Sequence, residues 1–157
     1  METAVNSLEQ APRPADGGEL DRAVERYHRS LREFIKGNPQ PNWEVFSHRE
    51  DVSLANPFGP VALGWEQVAA TMDRAAAQLR DGDQLTIETL VTSVTPELAY
   101  IVHVERCRAR VGGGQEIVPI ALRVTTILRP EDGTWKVVHR HADPITSPRP
   151  AESIIQL

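Results

Sequence analysis

The sequence predicts an α+β fold, because helical periodicity fills its first half and strand chemistry its second. Two amphipathic stretches come first, and four runs rich in Val, Ile, Thr and Leu follow at 84–94, 99–111, 116–128 and 134–142. The separators, Thr95-Pro96-Glu97, Gly112-Gly113-Gly114 and Glu131-Asp132-Gly133, are short enough for hairpins. Consecutive strands are therefore expected to pair as an antiparallel meander behind the helices.

Each element has its own signal. Residues 1–18 are polar, carry two prolines and two glycines and lack periodicity, so a flexible arm is expected there. From Glu19, the positions Leu20, Val24, Tyr27, Leu31, Phe34 and Ile35 recur at helical steps, and Gly37-Asn38-Pro39 ends them. Residues 42–46 fit one or two helical turns. Residues 51–56 fit a short strand with Val52 and Leu54 on one face, broken by Asn56-Pro57-Phe58-Gly59-Pro60. A second long helix is expected over 64–79, with Val68, Met72, Ala75, Ala76 and Leu79 on one side and Gly82 as its stop. The domain thus spans 19–145, and 146–157 are expected to form an extended tail.

Bulk properties narrow the function classes. The chain has 157 residues, one domain's worth, and its net charge of −5 is spread without blocks, so no stripe for nucleic acid is present. The longest apolar run, 117–122, is far shorter than the roughly 20 residues that cross a bilayer. No membrane segment and no secretory signal are expected, and with a single cysteine, Cys107, a cytoplasmic setting is.

The polar residues of the strands are the candidate chemistry. Alternation puts Pro119, Ala121, Arg123 and Thr125 on one face, Val137, His139 and His141 on one face, and His103 with Glu105. A turn centred near Gly113 sets Arg123 opposite His103 and diagonal to Glu105; a turn centred near Asp132 sets it opposite His141, with Thr125 opposite His139. An arginine inside a sheet needs a carboxylate or a ligand anion, and Glu105 is the expected partner. The other parity, Val118, Ile120, Leu122, Val124 and Leu128, is apolar and is expected outside, where a homodimer contact would cover it. A solvated face for the polar set is the alternative.

Several landmarks resemble those of the ketosteroid isomerases in their order: Tyr27 in the first helix, Asn56-Pro57-Phe58-Gly59, Gly64-Trp65 opening a helix, and Val118-Pro119-Ile120. The ending, Leu122-Arg123-Val124-Thr125-Thr126-Ile127-Leu128-Arg129 and then Trp135-Lys136-Val137-Val138-His139-Arg140-His141-Ala142-Asp143, resembles the SnoaL-like bacterial branch of that nuclear-transport-factor-2-like superfamily. The resemblance implies a cone, with a curved antiparallel sheet wrapped around about three N-terminal helices and a pocket inside. It also implies where isomerase chemistry would sit. Tyr27 matches the oxyanion tyrosine, but Asn56 stands at the base position and Ala121 at that of the second acid. Steroid isomerisation by that mechanism is not expected.

What remains suggests small-molecule binding, with isomerase, lyase or cyclase chemistry on a carbonyl compound as one form of it. In that form Glu105 orients Arg123, Arg123 holds a substrate carbonyl or carboxylate, and His141 or His139 moves a proton. Tyr27, His103 and Asn56 are candidate binding groups, and Phe58, Trp65 and Trp43 candidate walls of the mouth. The two histidines read equally as structural groups at the rim, and Tyr27 as core. His139, His141 and Asp143 also suit a divalent ion, but the pattern lacks a third-ligand spacing; no metal and no cofactor are expected. The rival class is a non-catalytic binding, dimerisation or docking module on the same cone.

Overall fold

The computed structural model describes residues 18–157, so the arm expected over 1–18 lies, apart from Gly18, outside the described residues. Helix α1 (Gly18–Phe34) buries Leu20, Ala23, Tyr27, Ser30 and Leu31 along one stripe. The short α2 (Gln40–Val45) starts after Pro39, and α3 (Trp65–Ala76) buries Val68, Met72, Ala75 and Ala76. Between them lie two short strands, β1 (Ser53–Ala55) and β2 (Ala62–Leu63), the second without a counterpart in the sequence expectations. Four long strands follow: β3 (Leu79–Val94), β4 (Ala99–Val111), β5 (Val118–Glu131) and β6 (Thr134–Asp143).

The six strands form one sheet in the order β2-β1-β6-β5-β4-β3, antiparallel throughout except for β1 beside β6. The sheet is curved and unclosed, and the three helices cover its concave face. Register shifts in β3 and β6 supply bends, because an extra residue on one strand kinks it and increases its twist. Tyr27, Phe46, Val52, Met72, Leu128 and Val137 meet in the core between sheet and helices. No described helix is long and apolar enough to cross a membrane.

The second long helix stops at Ala76, so Leu79 begins β3 and Gly82 stands inside a strand rather than after a helix. Gly82 N–H donates to the Ile35 carbonyl at 3.1 Å, tying β3 to the end of α1. A Cβ at position 82 would lie 2.1 Å from that oxygen, so only glycine permits this approach.

Two turns differ from the expected centres, and the differences decide which side chains face inward. The β5–β6 turn has only Asp132 and Gly133 at its tip, both with positive φ as a type I′ hairpin requires, which pairs Glu131 with Thr134. The β4–β5 pairing sets His103 opposite Val124 and Arg123 opposite Val104. That is one residue from the expected register, and a one-residue slip exchanges the faces. Val124, Thr126 and Leu128 are buried on the concave side, and Ile120 and Leu122 share their parity; Arg123 points to the convex side. The apolar parity expected to face outward is thus the inner one.

In β6, Leu128 pairs with Val137 but Ile127 pairs with His139, leaving Val138 as an extra residue. Val137 and Val138 are both buried, and past this bulge the parity is reversed. Arg140 and Ala142 consequently face the concave side, whereas His139 and His141 do not share a face with Val137. Arg123 lies opposite Asp143, not His141, and Thr125 lies opposite His141, not His139.

Candidate functional site

The inner face of β4 carries Ile101, His103, Glu105, Cys107 and Ala109, all buried. A carboxylate there requires a cation, and β6 supplies it across the intervening β5. Arg140 donates from Nη1 to Glu105 Oε1 and from Nη2 to Oε2, both at 2.7 Å, the bidentate geometry that a guanidinium fork and a carboxylate favour. Burial alone would raise the Glu105 pKa, but the Arg140 charge, its two hydrogen bonds and the His103 hydrogen bond outweigh it and hold the group at about 2. Arg140, its side chain 11% exposed, is driven further towards its charged form by Glu105 despite the cost of burial.

Around this pair the polar groups are tightly placed. Arg140 Nη1 also donates to the Tyr27 hydroxyl at 2.7 Å, and that hydroxyl meets Thr126 Oγ1 at 3.3 Å. Burial raises the Tyr27 pKa, opposed by Arg140, so the phenol stays protonated. His103 Nε2 lies 3.1 Å from Glu105 Oε1 and, facing an ionised carboxylate, carries the hydrogen. Its Nδ1 is buried without a hydrogen-bond partner among the described residues. His28, edge-on to His103 with ring centroids 6.3 Å apart, has its pKa lowered by burial and by His103.

A cavity of about 590 Å3 opens between the sheet and the helices, and Glu105 and Arg140 lie in its wall. Most of the lining is apolar, including Leu31, Phe34, Leu54, Met72, Ile120 and Leu122. Among the described residues, two further polar side chains line it, Asn42 and Asn56. Arg140 spends both Nη1 hydrogens and one Nη2 hydrogen on Tyr27 and Glu105; its Nε–H and remaining Nη2–H have no partner among the described residues. The site is therefore an apolar chamber with a neutralised ion pair in its wall.

Of the candidates named from sequence, Glu105, Tyr27 and His103 meet in this network, and Asn56 and Phe58 line the cavity. Asn56 Oδ1 accepts from Phe58 N–H at 2.9 Å, an Asx turn that shapes the loop at the wall. Trp65 and Trp43 are elsewhere: Trp65 stacks on His48 at 3.8 Å between centroids and meets Trp43 edge-on at 6.4 Å, and neither lines the cavity.

Arg123, His139 and His141 form a separate convex group. Arg123 Nε donates to Asp143 Oδ1 at 2.7 Å, and His141 Nε2 lies 3.3 Å from Asp143 Oδ2. His139 Nδ1 is 2.7 Å from Ser53 Oγ, and its pKa is lowered by burial and by His141. Glu105 therefore does not orient Arg123, and neither histidine reaches the cavity.

Two residues of the site, Arg140 and Asn42, had no place among the sequence candidates. A signal for Arg140 existed: Val138 and Ala142 share its parity and are apolar, whereas His139 and His141 sit together on the polar parity. Nothing in the pattern around Asn42 marks it.

The curved sheet and the helices packed on it make a cone that surrounds an apolar chamber. A family model described as the SnoaL-like domain matches residues 24–146, and the chain belongs to that family. No curated protein matches the sequence.

Solved structures agree on the fold. A Streptomyces avermitilis protein of the NTF2-like family, provisionally described as a dehydratase, superposes with a TM-score of 0.67 at 19% identity, covering 83% of this chain and 96% of that one. A ketosteroid isomerase-like protein from Erwinia carotovora gives 0.67 at 15%, covering 83% and 96%. A Thiobacillus denitrificans domain, provisionally described as a calcium/calmodulin-dependent protein kinase II association domain, gives 0.65 at 17%, covering 79% and 93%. At such identities the likeness is one of fold, and these three names point to three different functions.

Proposed function

We propose that the cavity binds one small, mainly apolar, uncharged molecule through its carbonyl group, with Arg140 as the donor. The observation that carries this is the buried Arg140–Glu105 pair in the wall of an otherwise apolar chamber. Arg140 keeps two N–H groups for a ligand, which favours an acceptor. Glu105 already balances its charge, so a carboxylate ligand would bring an uncompensated buried charge, whereas a ketone or other neutral carbonyl would not.

Isomerase, lyase or cyclase chemistry is the second reading. It has one observation in its favour: a carboxylate and a guanidinium line the same cavity. Glu105, held at about 2, is a weak base, and His139 and His141 are on the far face, so binding is the better-supported function. The dehydratase and isomerase-like descriptions of two structural neighbours keep that chemistry in view.

A homodimer through the convex sheet face is part of the same proposal, although the contact residues are not those expected from sequence. Leu90, Val91 and Tyr100 are exposed there, at 56, 44 and 41%. Sedimentation showing a monomer at micromolar concentration would remove this part. A cytoplasmic setting fits a chain with one cysteine.

The test is a thermal-shift and titration series with two- to four-ring ketones and the matching carboxylates. Ketones are expected to raise Tm, carboxylates are not, and the double variant Arg140→Leu/Glu105→Leu should lose the ketone effect while remaining folded. Carboxylates binding best, or ketones binding the double variant equally well, would overturn the proposal.

A further inference from the structure

Asn42 is 3% exposed, sits on α2 and lines the cavity. Its amide orientation follows from a chain of hydrogen bonds. The Ser30 hydroxyl has a single hydrogen and donates it to the Tyr27 carbonyl at 2.6 Å. Ser30 Oγ can then only accept from Asn42, and Asn42 Nδ2 donates to it at 2.8 Å. The amide oxygen, Oδ1, is left at the other end and has no hydrogen-bond partner among the described residues.

The chamber thus presents two kinds of polar handle on apolar walls: donors at Arg140 and an acceptor at Asn42. We infer that Asn42 is a specificity-determining residue and that the ligand carries a hydroxyl, donated to Asn42 Oδ1, besides the carbonyl held by Arg140. The class is a neutral, mainly apolar hydroxy-carbonyl compound. This rests on the binding function proposed above and narrows it. A ligand lacking the hydroxyl leaves the buried Asn42 Oδ1 without a donor, which is how a polar pocket rejects an otherwise identical molecule. The anchored amide adds directionality, because Ser30 and the α1 backbone prevent it from flipping to offer its nitrogen.

Fluorenone and its monohydroxy isomers separate this inference from the one beneath it. At least one isomer is expected to bind the wild-type protein about tenfold more tightly than fluorenone, since a hydrogen bond to a buried acceptor discriminates on that order. Asn42→Leu should erase the preference, read as the ratio of the isomer and fluorenone affinities within each protein. Ser30→Ala, which unlocks the amide while leaving Asn42 in place, should reduce the preference partially. Circular dichroism and Tm establish that both variants are folded. If fluorenone and all its isomers bind equally, still requiring Arg140, the inference is wrong and the carbonyl-binding function stands. If a preferred isomer keeps its advantage in folded Asn42→Leu, Asn42 is not the acceptor. If no ketone binds, both readings fall together.

Discussion

Arg140 and Glu105 stand on strands separated by a third and meet through two hydrogen bonds of 2.7 Å each, with Tyr27 and His103 completing the cluster. The pair ties β6 to β4, and Arg140 simultaneously holds α1 through Tyr27. It also gives the cavity the only charged wall residues among those described, so fold and proposed function share the same contact.

Removing one partner should be costly. Glu105→Gln leaves a buried guanidinium without its counter-charge, and a loss of about 3–5 kcal/mol is expected by chemical denaturation. Replacing both residues by leucine should cost much less. A single variant within about 1 kcal/mol of wild type would mean that water compensates the charge and that the site is wetter than described.

The same pair sets an acid limit. Glu105 has a folded pKa of about 2, below its ordinary 4.5, so its contribution is present above about pH 4.5 and is lost as pH falls through about 2. A depression of this size corresponds to about 3 kcal/mol. Denaturation midpoints measured from pH 6 downwards should show this loss in wild type, and Arg140→Leu/Glu105→Leu should show less of it.

The convex cluster should be dispensable for binding. Arg123 and His141 side chains are each 56% exposed, and exposed ion pairs contribute about 0–1 kcal/mol. Arg123→Leu and His141→Ala are expected to bind ketones within about twofold of wild type and to shift stability by less than about 1 kcal/mol. A loss of ligand affinity in either variant, with the fold intact, would return those residues to the site.

Position 82 tests the backbone account. Gly82→Ala places a methyl group 2.1 Å from the Ile35 carbonyl oxygen, which forces β3 away from α1. A loss of more than about 2 kcal/mol is expected from overpacking against rigid backbone. Wild-type stability would show that the strand can shift at little cost.

The helices and hairpins were legible because their signals are redundant: a whole stripe from Leu20 to Ile35 specifies α1, and Asp132-Gly133 specifies a turn. The facing of the polar residues was not, because it depends on single residues. A two-residue turn at Asp132-Gly133 and a three-residue one look alike in the sequence, and the bulge at Val138 joins two residues that both suit a core. Each moves a whole strand face, so Arg123 and His141 exchanged places with Val124 and Arg140. Glu105, Tyr27 and His103 survived this because β4 and α1 carry no such irregularity near them. Asn42 acquires its role only through Ser30, twelve residues away, a relationship that no local pattern encodes.

The most direct test of the central claim is the carbonyl 13C chemical shift of a labelled ketone, such as fluorenone, bound to the wild-type protein and to Arg140→Leu/Glu105→Leu. Hydrogen bonding from Arg140 polarises the carbonyl, so a downfield shift on binding the wild type, absent in the double variant, is the predicted result. A bound ketone whose carbonyl resonance is the same in both proteins would show that Arg140 does not hold it, and the proposed site would be contradicted.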